Sequence, residues 1–170
     1  VALTGVVLAA LAGALTNAVN GWVSPRYFTT ILGWSDDGHI WRDSIAQGAF
    51  EGLIFGAVFA LVFTVGVGIL TRASCTYAFA ARHLLAVVAG ALVWWLLGGT
   101  AAMVLGTLSP GFYRRTFIGV PAEVRPLLAY AWVGGSIWGL EIGGLVSVIL
   151  GLVVLRANWL SGADGRPATE

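Results

Sequence analysis

Two carboxylic acids stand inside otherwise uncharged apolar runs. Glu51 is the only charge between Ser44 and Thr71, and Glu141 the only one between Pro126 and Leu155. A carboxylate at the centre of a bilayer costs about 2.5 kcal/mol or more, so such residues mark a pathway, a relay or a protein interface. Polar side chains gather around the first of them. Asn17 and Asn20 lie near the end of the first apolar run, and Gln47 precedes Glu51 by four residues, on the same side of a helix. At about 1.5 Å rise per residue, Asn17 and Glu51 both fall roughly 10 Å inside the same water layer. Asn17, Asn20, Gln47 and Glu51 can therefore hydrogen-bond neighbouring helices, line a polar vestibule or hold a ligand. Glu141 sits about 13 residues into its run, near mid-membrane, with every Arg of the chain close to a run end.

The other reactive residue types carry less. Cys75 is the single cysteine and cannot form an internal disulfide or a thiolate metal set. His39 stands among Asp36, Asp37 and Asp43, a set that reads as an exposed acidic connection rather than a metal site. His83 opens the third apolar run beside Arg82, where it is expected to reach the interface. Neither His lies deep enough to ligate a haem held between helices. Trp94, Trp95 and Trp138 can line a pigment, quinone or lipid pocket, although large core aromatics are the simpler reading. There is no phosphate loop, no Ser-His-Asp or Cys-His set and no HExxH, so neither a catalytic site nor a cofactor or metal is expected.

Composition says what must position these residues. Of 170 residues, 58 % are hydrophobic and 10 % charged, with mean hydropathy +0.89. A soluble domain carries about 25 % charge, so the class is an integral membrane protein. A net charge of +1 provides no basic field for nucleic acid. Four apolar runs, about 3–23, 46–71, 84–107 and 128–155, each reach the length of about 20 residues that a helix needs to cross the hydrocarbon. They lack the period-2 alternation of barrel strands, which leaves an all-α, four-helix domain over 1–160 followed by a polar tail at 161–170. The first run has no basic segment before it and no small-residue cleavage site, so it reads as a retained span. All nine basic residues are Arg and 24 residues are Gly, the usage of a GC-rich genome, and the expected setting is a bacterial inner membrane. Arg72, Arg82, Arg156 and Arg166 lie on one side, and Arg26, Arg42, Arg114, Arg115 and Arg125 on the other. The count does not fix orientation. The short acid-free loop at 72–83 places both termini in the cytoplasm.

The two halves resemble each other. Ser24-Pro25-Arg26-Tyr27-Phe28 follows span 1 and Ser109-Pro110-Gly111-Phe112-Tyr113 follows span 3, while Gly13, Val19 and Gly21 match Gly98, Val104 and Gly106 at the same offset. In the even-numbered spans, Gly48, Gly52 and Gly56 match Gly135, Gly139 and Gly143. Two parallel two-helix repeats are expected, about 1–83 and 84–160, related by a pseudo-two-fold axis along the membrane normal. Each Ser-Pro suits a helix start, with Ser as N-cap and Pro in the first turn, so a short interfacial helix is expected after spans 1 and 3. Tyr27, Phe28, Phe112 and Tyr113 would lie at headgroup level, with Trp22, Trp34 and Trp41 in the same belt. Each glycine triplet recurs every fourth residue and forms a smooth strip, a glycine zipper, that lets helix backbones approach. The strips of spans 2 and 4 are expected to meet across the axis or to receive a partner. Glu51 matches Trp138 and Glu141 matches Ile54, so no symmetric carboxylate pair is expected on the axis.

Two functions fit this pattern. The first is a non-enzymatic interaction or assembly module in the lipid bilayer, pairing with itself or with another membrane subunit through the glycine-lined faces. The second is a small proton-coupled transporter or ion pathway using Glu51 and Glu141.

Overall fold

The computed structural model describes residues 1–35 and 38–162 and is all-helical over that range. The order is α1 (Ala2–Val23), α2 (Pro25–Ile31), α3 (Ile40–Thr71), α4 (Tyr77–Leu108), α5 (Pro110–Thr116) and α6 (Val124–Leu160). Among the described residues, four helices are long and apolar enough to cross a membrane: α1, α3, α4 and α6. The chain is accordingly an integral membrane protein. The acidic pair Asp36 and Asp37 and most of the 161–170 tail lie outside the described residues.

Three of the four long helices begin about four to seven residues before their apolar runs. α3 starts at Ile40, with Asp43 in its first turn, where a carboxylate suits the positive end of the helix dipole. α4 starts at Tyr77 under a cap in which the Thr76 hydroxyl accepts from the Phe79 amide at 3.3 Å. α6 starts at Val124 and tolerates Pro126 because that residue falls in the first turn. Hydropathy marks where the lipid-compatible part of a helix lies, and the polar turns beyond it remain helical. Between α3 and α4 the chain reverses through Arg72 and Ala73, both in the left-handed region at φ 52° and 56°. The Ala73 amide closes that helix end on the Gly68 carbonyl at 2.8 Å.

The bundle is built from two tight antiparallel pairs. α1 packs most extensively on α3, and α4 on α6, while α3 and α6 make a lighter contact between the pairs. Glycines set the distance within each pair. A methyl group added at Gly48 would collide with the Gly13 carbonyl and with Asn17, and one added at Gly52 would collide with Ala9 and Ala10. In the other pair, a methyl at Gly135 would collide with Gly98 and Ala102, and one at Gly139 or Gly143 with Trp94. The expectation that the two strips meet each other is therefore corrected: the strip of α3 is covered by α1 and that of α6 by α4. Gly13 on α1 and Gly98 on α4 supply matching gaps, so backbone approaches backbone inside each pair and neither strip is left for the far pair. The pairs instead meet through side chains, with Phe59 seated on Gly144 and Leu152 on Gly66.

Two apolar clusters close the bundle ends. Phe63, Val67, Phe79, Ala80, Leu84, Val87, Val148 and Leu155 pack at the end that holds Val1 and Trp159. Phe28, Ile40 and Val133 pack at the other, with Trp34 stacked on Phe28 at 5.6 Å. α2 and α5 start where the Ser-Pro pairs stand, with Pro in the first turn, but neither Ser24 nor Ser109 makes a side-chain cap bond. Phe28 and Tyr113 turn inward and are buried, whereas Phe112, Trp22 and Trp41 remain exposed.

Candidate functional site

A cavity of about 110 Å³ lies between the two helix pairs, bounded by α1, α3, α4 and α6. It is large enough for several waters, each needing about 10–15 Å³ by that measure. Its polar members are Thr16, Asn17 and Asn20 from α1, Glu51 from α3 and Glu141 from α6. Its apolar wall includes Phe55, Phe59, Phe63, Leu84, Val87, Trp95 and Val148. Among the described residues, no Arg or His lines it.

The polar end is partly wired. Asn20 Nδ2 donates to Asn17 Oδ1 at 3.2 Å, and Asn20 Oδ1 accepts from the Ser136 hydroxyl of α6 at 3.1 Å. Asn20 is fully buried and so ties α1 to α6 at the cavity edge. Ser44 adds a second tie, donating to the Asn17 carbonyl at 3.1 Å. On α3, Gln47 Nε2 donates to Glu51 Oε1 at 2.9 Å, which orients that carboxyl from within its own helix. The expected group of Asn17, Asn20, Gln47 and Glu51 thus divides in two: an amide pair on α1 and a carboxyl–amide pair on α3, with the cavity between them.

Glu141 joins them from the opposite wall. Glu51 and Glu141 line the same cavity and lie within electrostatic range of each other. Glu51 stands 11 residues from the start of α3 at Ile40 and Glu141 17 residues from the start of α6 at Val124, roughly 16 and 25 Å along each helix. No described residue hydrogen-bonds the Glu141 carboxyl. The pairing is not symmetric. Trp138, at the position matching Glu51, is 61 % exposed on the outer surface, and Ile54, matching Glu141, is 50 % exposed. The sequence comparison of the two halves put the acids in separate registers. It had no signal for the rotation of each helix, which brings two unrelated registers to one space.

Tyr27 of α2 stands over this end. Its ring packs on Tyr130 at 5.1 Å and on the backbone gap left by Gly134, and it lies within electrostatic range of both Glu51 and Glu141. Burial, reinforced by Tyr130, Tyr113 and the two acids, pushes its phenol up to about 12, so it remains a neutral hydrogen-bond donor at physiological pH. Burial likewise pushes Tyr113 up to about 12.

The remaining candidates separate. Trp95 lines the cavity, edge-on to Trp132 at 5.5 Å, and the indole N–H groups of both are buried without a partner. Trp94 packs on the glycine strip of α6, and Trp138 faces outward. His83 does not reach the interface. It is buried, with Nδ1 at 2.9 Å from the Phe79 carbonyl and Nε2 at 3.0 Å from Asn158 Nδ2, because the end cluster of Phe79 and Trp159 closes over it. His39 and Asp43 form no metal-binding group among the described residues. No known protein family, characterised protein or solved structure matches this chain.

Proposed function

We propose that this protein is a small non-enzymatic membrane carrier or ion pathway in which Glu51 and Glu141 take up and release protons. The observation that carries this reading is that one cavity at the centre of the bundle is lined by both intramembrane carboxyls and by the buried amides of Asn17 and Asn20. Two carboxylates in one low-dielectric space repel each other, and with no basic side chain in the wall a proton or a cation must neutralise them. The assembly reading relied on free glycine faces. Gly48, Gly52, Gly56, Gly135, Gly139 and Gly143 are occupied by contacts within the chain, which favours the carrier.

Several finer features belong to the same proposal. The pairs α1–α3 and α4–α6 are taken as two parallel repeats about a pseudo-two-fold, supported by the equivalent Gly13–Gly48 and Gly98–Gly135 approaches. α2 and α5 are taken as interfacial helices closing the same end of the bundle. The setting is a bacterial inner membrane, with both termini in the cytoplasm.

The test is a pH gradient across proteoliposomes containing the purified protein, read with an internal pH dye. Wild type should dissipate the gradient, and the double variant Glu51→Gln/Glu141→Gln should not. Absence of flux in wild type, or equal flux in the double variant, would overturn the reading.

A further inference from the structure

The cavity has two chemically different ends. One gathers Glu51, Glu141 and the α1 amides, and the other is a wall of aromatic and aliphatic side chains. Resting on the carrier reading above, we propose that the cavity binds a lipophilic organic cation, its positive centre between Glu51 and Glu141 and its apolar body against Phe55, Phe59 and Phe63.

Three observations select this ligand class. Two acidic groups without a basic partner repel an anion and leave a neutral molecule unable to neutralise them. A bare metal ion needs about six oxygen ligands or more. Among the described residues no three His, Cys, Asp or Glu side chains come together to hold one, and most of the cavity wall is carbon. An organic cation needs few oxygen ligands, and it uses the aromatic wall, whose ring faces attract cations and whose carbon surface takes the apolar body. A volume of about 110 Å³ suits a body of one aromatic ring with short substituents.

Binding one monovalent cation while one carboxyl releases its proton leaves the charge in the cavity unchanged. The groups that govern this exchange are Glu51 from α3, Glu141 from α6 and the neutral Tyr27 from α2. α1 and α4 contribute no titratable side chain to the cavity.

The probe is benzyltrimethylammonium, titrated calorimetrically into the full chain in lipid nanodiscs, with empty nanodiscs as background. Saturable one-to-one binding is expected, tightening from pH 5 to pH 8 as protons cease to compete. Its uncharged carbon isostere, neopentylbenzene, and the anion phenylacetate should not displace it. Glu51→Gln and Glu141→Gln should each weaken binding by about tenfold or more, and Glu141→Asp, which keeps the charge, should retain most of it. Equal binding of the neutral isostere, unchanged affinity in both Gln variants, or no saturable binding would overturn the proposal. Glu-dependent proton flux without cation binding ends this inference and leaves the carrier. Cation binding without flux leaves the site and ends the carrier.

Discussion

The Ser136 hydroxyl of α6 reaches across the bundle to Asn20 Oδ1 of α1 at 3.1 Å, joining the two helix pairs where both residues are fully buried. Ser136 also bonds the Val133 carbonyl of its own helix at 3.0 Å, so it holds its place whether or not Asn20 is present. Among the described residues, Asn20 has no such second anchor on its Oδ1. Interhelical hydrogen bonds in membranes average about 0.6 kcal/mol, and a buried group left unpaired costs about 1–3 kcal/mol. Ser136→Ala should therefore cost about 1 kcal/mol, and Asn20→Leu more, because it removes the bond to Ser136 and also takes the donor from the buried Asn17 Oδ1. Reversible unfolding in mixed micelles, run as a double-mutant cycle, checks the order. Strictly additive costs, with no coupling between the two positions, would mean that the contact does not join the pairs.

The glycine strips make a sharper claim. Gly52→Leu and Gly139→Leu each place a side chain against the backbone of the adjoining helix, at Ala9 and Trp94 respectively, where no flexible group can yield. Both variants should lose the folded, monodisperse species on size-exclusion chromatography. Gly68→Ala is the control, since nothing lies within 4 Å of the added methyl, and it should be neutral or slightly stabilising.

How far these contacts could be read from residue order depends on the interaction. Four spans were legible because lipid imposes length and apolarity on every crossing helix, and the glycine triplets because spacing defines a face. Their partners were not. A smooth strip states that something approaches closely, and only the matching gaps at Gly13 and Gly98 decide that it is the preceding helix. That Glu51 and Glu141 each stand alone in a long apolar run was legible as well, but their meeting in one cavity depends on helix rotation, which residue order did not reveal. His83 was misplaced for a similar reason. A residue at the end of an apolar run looks interfacial until a neighbouring helix, here through Asn158, covers it.

Tyr27 and Tyr113 give the fold an alkaline limit. Both phenols are pushed up to about 12 by burial, from an ordinary value of 10. Between those values the unfolded chain loses phenol protons that the folded chain keeps, so raising the pH favours unfolding. Stability is therefore full below pH 10 and falls as pH rises towards 12. Wild type in detergent should lose Tm between pH 9.5 and 11.5, and Tyr27→Phe/Tyr113→Phe should flatten that decline. An unchanged slope would mean that these hydroxyls ionise freely in the folded state.

Cys75 offers a direct reading of topology. It is the only cysteine, is partly exposed, and lies in the 72–76 reversal at the same bundle end as Val1. In right-side-out bacterial cells, a membrane-impermeant maleimide should leave it unlabelled, and inverted vesicles should expose it. Moving the cysteine to the opposite end, in Cys75→Ser/Ser35→Cys, should reverse both results. Labelling of Cys75 from outside would place both termini in the periplasm instead.

The carrier reading is tested most directly at Glu141. Gln preserves the shape and the hydrogen-bonding capacity of the side chain but cannot exchange a proton. If Glu141 only packs, Glu141→Gln should be nearly silent. If it carries protons, Glu141→Gln should fold as wild type and abolish flux, because Gln47 orients Glu51 while no described residue hydrogen-bonds Glu141. The second result is expected. Placing a carboxyl at Ile54, the position of the proposed first repeat that corresponds to Glu141, tests whether place or mere presence matters. Ile54 is half exposed on the outer surface, so Ile54→Glu puts the acid in lipid at a cost of about 2.5 kcal/mol or more and does not return it to the cavity. Glu141→Gln/Ile54→Glu should remain inactive and insert less well. Proton flux at wild-type level in Glu141→Gln, measured in proteoliposomes at matched protein density, would remove Glu141 from the pathway.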